Sequence, residues 1–249
     1  MTHPRAHVDV VKALAGEGLT ASEIATTTGI SRSTVRGWLG QSPTRAPHPQ
    51  WVSCPRCNEQ AELDEAAYVY LLGMYLGDGT ISRQRNGVSR LRIFQTAKYL
   101  NLIDECRWKM QLVLPNRVSV QPRGGCVEIN SYSRHWPCLF PQAGPGRKHE
   151  RPIVLEPWQT SLVRCYPRLL LRGLIQSDGS RHLNTIVRGD KRYSYSRYEF
   201  SNASDDIRGI FTGACDLLGV HWTQMNARNI SIARREDVAF LDTFIGAKS

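Results

Sequence analysis

A chain of 249 residues with 41% hydrophobic content holds enough apolar material for one large domain or two to three small ones. Its formal charge of +10 favours a polyanionic partner, and the heavy use of arginine over lysine points to nucleic acid. No apolar run approaches the roughly 20 residues of a spanning helix, residues 1–15 lack a signal-peptide core, and seven cysteines are an odd number spread widely. A membrane protein and a disulfide framework are thereby set aside, and a cytoplasmic protein with reduced thiols is the expectation.

Residues 1–40 read as a first domain. Val8, Val11, Leu14 and Ala15 recur at helical spacing until Gly16-Glu17-Gly18 breaks the pattern. A second helix opens through Leu19-Thr20-Ala21-Ser22-Glu23-Ile24-Ala25 and breaks at Gly29. Ser31 can then cap a third helix through Val35 and Trp38. Small Ala25 at the contact, Gly29 at the turn, and Ile24, Ile30, Val35 and Leu39 as core make this unit resemble a helix-turn-helix. Arg32, Ser33, Thr34 and Arg36 are the side chains it would offer to a DNA major groove.

Residues 41–63 read as a linker, since Ser42-Pro43, Ala46-Pro47 and His48-Pro49 interrupt any helix. Cys54-Pro55-Arg56-Cys57 has the spacing of one zinc knuckle. A second pair is not adjacent, so Zn²⁺ would need distant ligands such as Cys138, Cys126 or His149. Otherwise Cys54 and Cys57 are two free thiols in a turn.

From residue 64 the chain is written twice. Asp64 can cap a helix through Tyr68, Leu71, Leu72, Tyr75 and Leu76 into Asp78-Gly79. A hairpin follows, with strands over 80–85 and 88–95 about an Asn86-Gly87 turn. It carries Arg83, Arg85, Arg90 and Arg92 and no acid between Gly79 and Ile93. A helix over 98–114, strands over 117–121 and 126–130, and a short helix with Trp136, Leu139 and Phe140 complete the unit. After a proline-rich connection, Pro167 starts a second motif helix ending in Asp178-Gly179. A hairpin over 181–201 turns near Gly189-Asp190 and carries Arg188, Lys191, Arg192, Tyr193, Tyr195, Arg197 and Tyr198; at least one of the tyrosines is expected to pack in the strand. A helix over 205–218, strands over 221–225 and 229–233, and a last helix follow. The repeats are 64–147 and 166–249, joined by a linker over 148–165, and their motif aspartates lie 100 residues apart.

The two motif stretches, Leu71–Gly79 and Leu171–Gly179, have small residues four apart: Gly73 with Gly77, and Gly173 with Ser177. That spacing lets two helices approach closely. If they pack on each other, Asp78 and Asp178 converge where two helix C-termini already concentrate negative charge, and a divalent cation is needed to offset it.

The paired motifs, repeated order and basic hairpins resemble a single-chain LAGLIDADG homing endonuclease over residues 64–249. The resemblance implies an α+β fold: a pseudo-twofold, duplicated αββαββα arrangement whose saddle-shaped antiparallel sheets lie on DNA, beside a small all-α N-terminal domain. It implies Asp78 and Asp178, with Gly77 and Ser177, as the site of Mg²⁺ or another divalent cation such as Mn²⁺. A supporting lysine is implied near each; Lys148 and Lys248 both lie 70 residues beyond their motif aspartate. DNA contacts are implied for Arg83, Arg85, Arg90 and Arg92 in one half and Arg188, Lys191, Arg192, Tyr195 and Arg197 in the other. Leu76 and Gln176 depart from the aspartate of the family name, at a position that belongs to the helix interface. The implied activity is site-specific cleavage of both strands of a long double-stranded DNA target by a monomer, the helix-turn-helix adding affinity or a second recognition element. The alternative is a non-catalytic transcriptional regulator, because some bacterial regulators join the same two domains in the opposite order. A pure binder has no need of both Asp78 and Asp178.

Overall fold

The chain divides into two units, Met1–Trp51 and Val52–Ser249. The computed structural model describes residues 5–40, 54–58, 61–246 and 248, so most of the expected linker lies outside the described residues. Helix α1 covers Arg5–Gly16, α2 Ala21–Thr28 and α3 Arg32–Trp38. Thr20 and Glu23 form a reciprocal capping box at the start of α2, and Gly29, at φ +68°, ends it in the left-handed region. Ser31 Oγ accepts a 3.3 Å hydrogen bond from the Thr34 N–H to open α3. Such a cap contributes about 1 kcal/mol. Val11, Ile24, Ile30 and Val35 close over one another as the small core.

In the second unit, Asp64 accepts from the Ala67 N–H at 2.8 Å and starts α4, Glu65–Asp78. Every residue from Ala67 to Leu76 is buried. A helix apolar on all sides must be central, because each large side chain withdrawn from water contributes about 1.5–3 kcal/mol. Strands β1 (Gly79–Arg83) and β2 (Ser89–Thr96) follow, with Asn86 and Gly87 at φ +60° and +71° in the turn between them. Then come α5 (Leu100–Val113), β3 (Val118–Arg123), β4 (Cys126–Ser133) and the one-turn α6 (Trp136–Leu139). The antiparallel sheet has the order β1-β2-β4-β3, which puts Pro122 on an edge strand, where its missing N–H costs no ladder bond.

The stretch expected to be only a linker contains a helix, α7, Pro157–Cys165. Pro157 sits at its first turn and Gln159 bonds back to the Glu156 N–H at 2.9 Å, so the last proline of the connection starts a helix. Gln159 is buried and donates to Tyr68 Oη at 2.6 Å, while Tyr68 donates to the Leu139 carbonyl at 2.7 Å. That network fastens α7 to α4.

Helix α8 (Pro167–Asp178) begins the second copy: β5 (Gly179–Arg188), β6 (Lys191–Ser201), α9 (Asp205–Leu217), β7 (Thr223–Gln224), β8 (Asn229–Ile232) and α10 (Arg235–Asp242). Its sheet order, β5-β6-β8-β7, repeats the first. The α–β–β–α–β–β–α order therefore occurs twice, as the resemblance implies, and one continuous apolar core serves both copies. Strand β7 is two residues long, against the five of the sequence expectation.

Candidate active site and nucleic-acid interface

The absence of side chains at two glycines lets α4 and α8 touch backbone to backbone. A Cβ on Gly173 would lie 2.3 Å from the Tyr70 carbonyl oxygen, and one on Gly73 would lie 2.7 Å from that of Leu170. One turn further on, a Cβ on Gly77 would lie 2.5 Å from the Ser177 Cβ and 3.2 Å from the Asp178 carboxyl carbon. The helices thus cross at the small residues and end together, which brings Asp178 beside the last turn of α4. Gln176 lies buried in this interface: it accepts from Tyr70 Oη at 2.8 Å and donates to the Ile245 carbonyl at 3.0 Å. Leu76 is fully buried.

Each aspartate has one carboxylate oxygen held by an amide. Gln95 donates to Asp78 at 3.0 Å, and Asn202 donates to Asp178 at 2.5 Å. These two residues were not anticipated from sequence, yet they are counterparts. Gly79 pairs with Ile93 and Gly179 with Phe200, and each amide lies two residues beyond the paired strand residue. The signal was present in the register of the hairpins rather than in local spacing.

Lysines complete the duplication. Lys148 Nζ donates to the carbonyls of Tyr75, Leu76 and Gly77 at 2.7, 2.7 and 2.6 Å, and Lys248 Nζ donates to the carbonyls of Ser177 and Gly179. Both ammonium groups therefore sit at the negative ends of the motif helices, where a cation is favoured. Gly77 and Ser177, expected at the metal site, have backbone carbonyls that already accept from these lysines; each carbonyl has a second lone pair. Lys148, Asp178, Gly77 and Asn202 share the wall of a cleft of about 520 Å³, and Lys248 lines one of about 580 Å³ with Gly179, Tyr198 and Asp242.

The charges are mutually strained. Burial, and then the Asp178 charge, push Asp78 up to about 6, against the pull of Lys248, Lys148 and the Gln95 amide. Burial raises Asp178 as well, opposed by the Asn202 amide and both lysines. Burial lowers Lys148 to about 8 against the attraction of the aspartates, and lowers Lys248 too. Hard, half-buried carboxylate oxygens are a donor set suited to Mg²⁺ or Mn²⁺ rather than to a soft metal.

Strand register sorts the basic hairpin residues. In β2 the core face carries Leu91 and Ile93, so Arg90 and Arg92 lie on the opposite face with Thr80 and Ser82 of β1. Arg83 pairs with Ser89 and falls on the core-side parity at the hairpin tip, and Arg85 is in the turn; both are exposed. Arg90 is no free cation: it is ion-paired with Glu128 of β4, which Arg123 also meets at 3.2 Å. The stretch from Gly79 to Ile93 holds no acid, and this partner comes from across the sheet. In the second hairpin Arg197, Tyr195 and Lys191 share the outer parity, whereas Arg192 pairs with Val187 on the other. Arg188 pairs with Lys191, and its side chain lies outside the described residues. Tyr195 Oη accepts from Arg197 at 2.9 Å and Asn184 at 2.6 Å; Tyr198 is buried and donates to Asp242 at 2.6 Å, while Tyr193 is exposed.

In the first unit Arg32, Ser33 and Arg36 are exposed on α3, and Thr34 is half-buried with its hydroxyl 2.7 Å from that of Ser31. Cys54 and Cys57 meet Cys138 and also His135, which sequence reading missed. Cys126 instead donates to the Arg123 carbonyl at 3.1 Å, and His149 lies near Glu150. No described helix is long and apolar enough to cross a membrane.

No family model and no curated protein matches the sequence. Among solved structures, the chain is similar to mesophilic variants of the homing endonuclease I-DmoI, at TM-score 0.48 and 17% identity over 75% of this chain and 92% of that one. It is similar to I-DmoI in complex with DNA and Mn, at TM-score 0.47 and 16% identity over 74% and 98%. The I-SmaMI LAGLIDADG homing endonuclease bound to cleaved DNA gives TM-score 0.48 and 9% identity over 74% and 84%.

Proposed function

We propose that the chain is a site-specific endonuclease that hydrolyses one phosphodiester bond in each strand of double-stranded DNA. The observation that carries this reading is the convergence of Asp78 and Asp178 at the ends of two packed helices, each with an amide and a lysine in matching positions. One such cluster per repeat suits a substrate with two antiparallel strands. Asp78 and Asp178 would hold Mg²⁺ or Mn²⁺, whose charge, when bound, neutralises phosphate oxygens and favours attack by water in line with the leaving oxygen. Gln95 and Asn202 each hold one carboxylate oxygen, which leaves the other oxygen of each aspartate for the ion. Lys148 and Lys248 hold the helix ends and add positive charge where the pentacoordinate phosphate develops negative charge.

Arg92, Lys191, Tyr195 and Arg197 are the hairpin groups best placed to meet the major groove, by phosphate contact or base readout. Arg90 then acts by fixing the outer face through Glu128. The helix-turn-helix would present Arg32 and Arg36 to a further stretch of groove. Both catalytic halves reside in one chain, so a monomer suffices. Incubation with a library of duplex targets and Mg²⁺ tests the reading: cleavage of a defined subset is expected from the wild type and not from Asp78→Asn or Asp178→Asn. Selective retention of targets without metal-dependent cleavage would make the protein a DNA-binding regulator instead.

A further inference from the structure

Away from the paired aspartates, four soft ligands that the sequence scatters over 85 positions meet at one place. The donor atoms of Cys54, Cys57, His135 and Cys138 all lie within 4.8 Å of one another. Cys57 Sγ is 3.4 Å from His135 Nδ1 and 3.5 Å from Cys138 Sγ, and Cys138 Sγ is 3.9 Å from the same nitrogen. A tetrahedral zinc ion with bonds of about 2.3 Å to sulfur and about 2.0 Å to nitrogen requires edges of about 3.8 Å between sulfurs and about 3.5 Å from sulfur to nitrogen. The three observed edges fall around these values. A disulfide between Cys57 and Cys138 would need about 2.05 Å and would leave Cys54 and His135 without a reason to converge.

We infer that Cys54, Cys57, His135 and Cys138 form a closed structural zinc site. Three thiolates and one imidazole select zinc over the hard cations suited to Asp78 and Asp178. The local backbone is prepared at both ends. The N–H groups of Cys57 and Asn58 both reach the Cys54 carbonyl, at 3.0 and 2.9 Å, and make a tight turn that points two sulfurs the same way. The Cys138 N–H bonds to the His135 carbonyl at 3.0 Å in the first turn of α6, which sets the second pair. The residues 100 positions further on, Arg235 and Val238, are no ligands, so the cluster belongs to the first repeat and is not a by-product of the duplication.

The site staples residues 54–58, which have no strand or helix of their own, onto α6. Arg56, between the two cysteines, stacks over Trp158 of α7 at 4.5 Å and extends the anchor. Zinc thereby fixes where the chain enters the duplicated unit.

Elemental analysis of the full-length protein, purified without chelator, is expected to give about one zinc per chain. Cys57→Ser and His135→Ala should fall to background, whereas Cys165→Ser and Asp78→Asn should keep the metal. Cobalt introduced in place of zinc should show thiolate-to-cobalt charge transfer and tetrahedral ligand-field bands in the wild type, a readout that does not depend on any variant folding. A folded wild type that takes up neither ion, zinc retained by Cys57→Ser, or a Cys57–Cys138 disulfide in the non-reduced mass would each overturn the assignment.

Discussion

Lys148 Nζ lies 2.6 Å from the carbonyl oxygen of Gly77, the residue immediately before the first motif aspartate. Lys248 and Ser177 repeat the contact at 3.2 Å in the other half. Removing the ammonium leaves the last carbonyls of each motif helix without that donor, and a buried polar group left unpaired costs about 1–3 kcal/mol. Lys148→Met should therefore lower the melting temperature, and more than Lys248→Met, because Lys148 meets three carbonyls and Lys248 two. It should also slow cleavage on the order of 10²-fold through loss of positive charge near the reacting phosphate. Thermal melts and single-turnover cleavage on one target check both effects.

The crossing of α4 and α8 sets the spacing of the aspartates. Gly173→Ala would place a methyl group 2.3 Å from the backbone oxygen of Tyr70, which cannot swing away. A loss of about 1–3 kcal/mol is expected, with cleavage reduced further than stability alone explains, because the helix ends part. Gly209→Ala in α9, where a Cβ meets nothing within 4 Å, should be neutral or stabilise by about 0.5–1 kcal/mol. Equal stability in the two variants would contradict the close approach.

Asp78 carries a pH signature. Its folded value of about 6 lies above the roughly 3.9 of an unfolded chain. Between those values the folded protein binds more protons than the unfolded one, so stability falls as pH rises from about 4 to about 6 and stays reduced above. Without divalent cation the wild type should gain stability relative to Asp78→Asn when the pH is lowered from about 7 to about 5. Added Mg²⁺ should erase the gain by stabilising the charged form. Denaturation at matched ionic strength supplies the comparison; a difference that is independent of pH would contradict it.

For the first unit, deletion of residues 1–45 should weaken DNA binding and shorten the footprint. Arg32→Ala or Arg36→Ala should lower the salt dependence of affinity by about 0.9 in log–log slope for each phosphate that is no longer neutralised. An unchanged footprint and slope would remove this unit from DNA recognition.

The convergence of Asp78 and Asp178 was legible because the same apolar, small-residue, Asp-Gly pattern is written twice. Gln95 and Asn202 were not, because they stand 17 and 24 residues from their carboxylates and reach them only through strand register. Arg90 and Arg92 alternate with Leu91 and Ile93, which is visible in sequence, but the ion pair with Glu128 depends on which strand lies next to β2. His135 escaped notice because α6 is a single turn, too short to show a period that would place it beside Cys138. Helix α7 was hidden by the proline-rich sequence before it, whose last proline, Pro157, serves at its start.

The account stands most directly on single-turnover cleavage of one bound duplex target in Mg²⁺ by the wild type, Asp78→Asn and Asp178→Asn, with affinity measured alongside. The wild type should cut both strands, and each variant should retain binding while cleavage falls by at least about 10²-fold. Cleavage by either variant at the wild-type rate, or tight specific binding by the wild type without any cut, would contradict it.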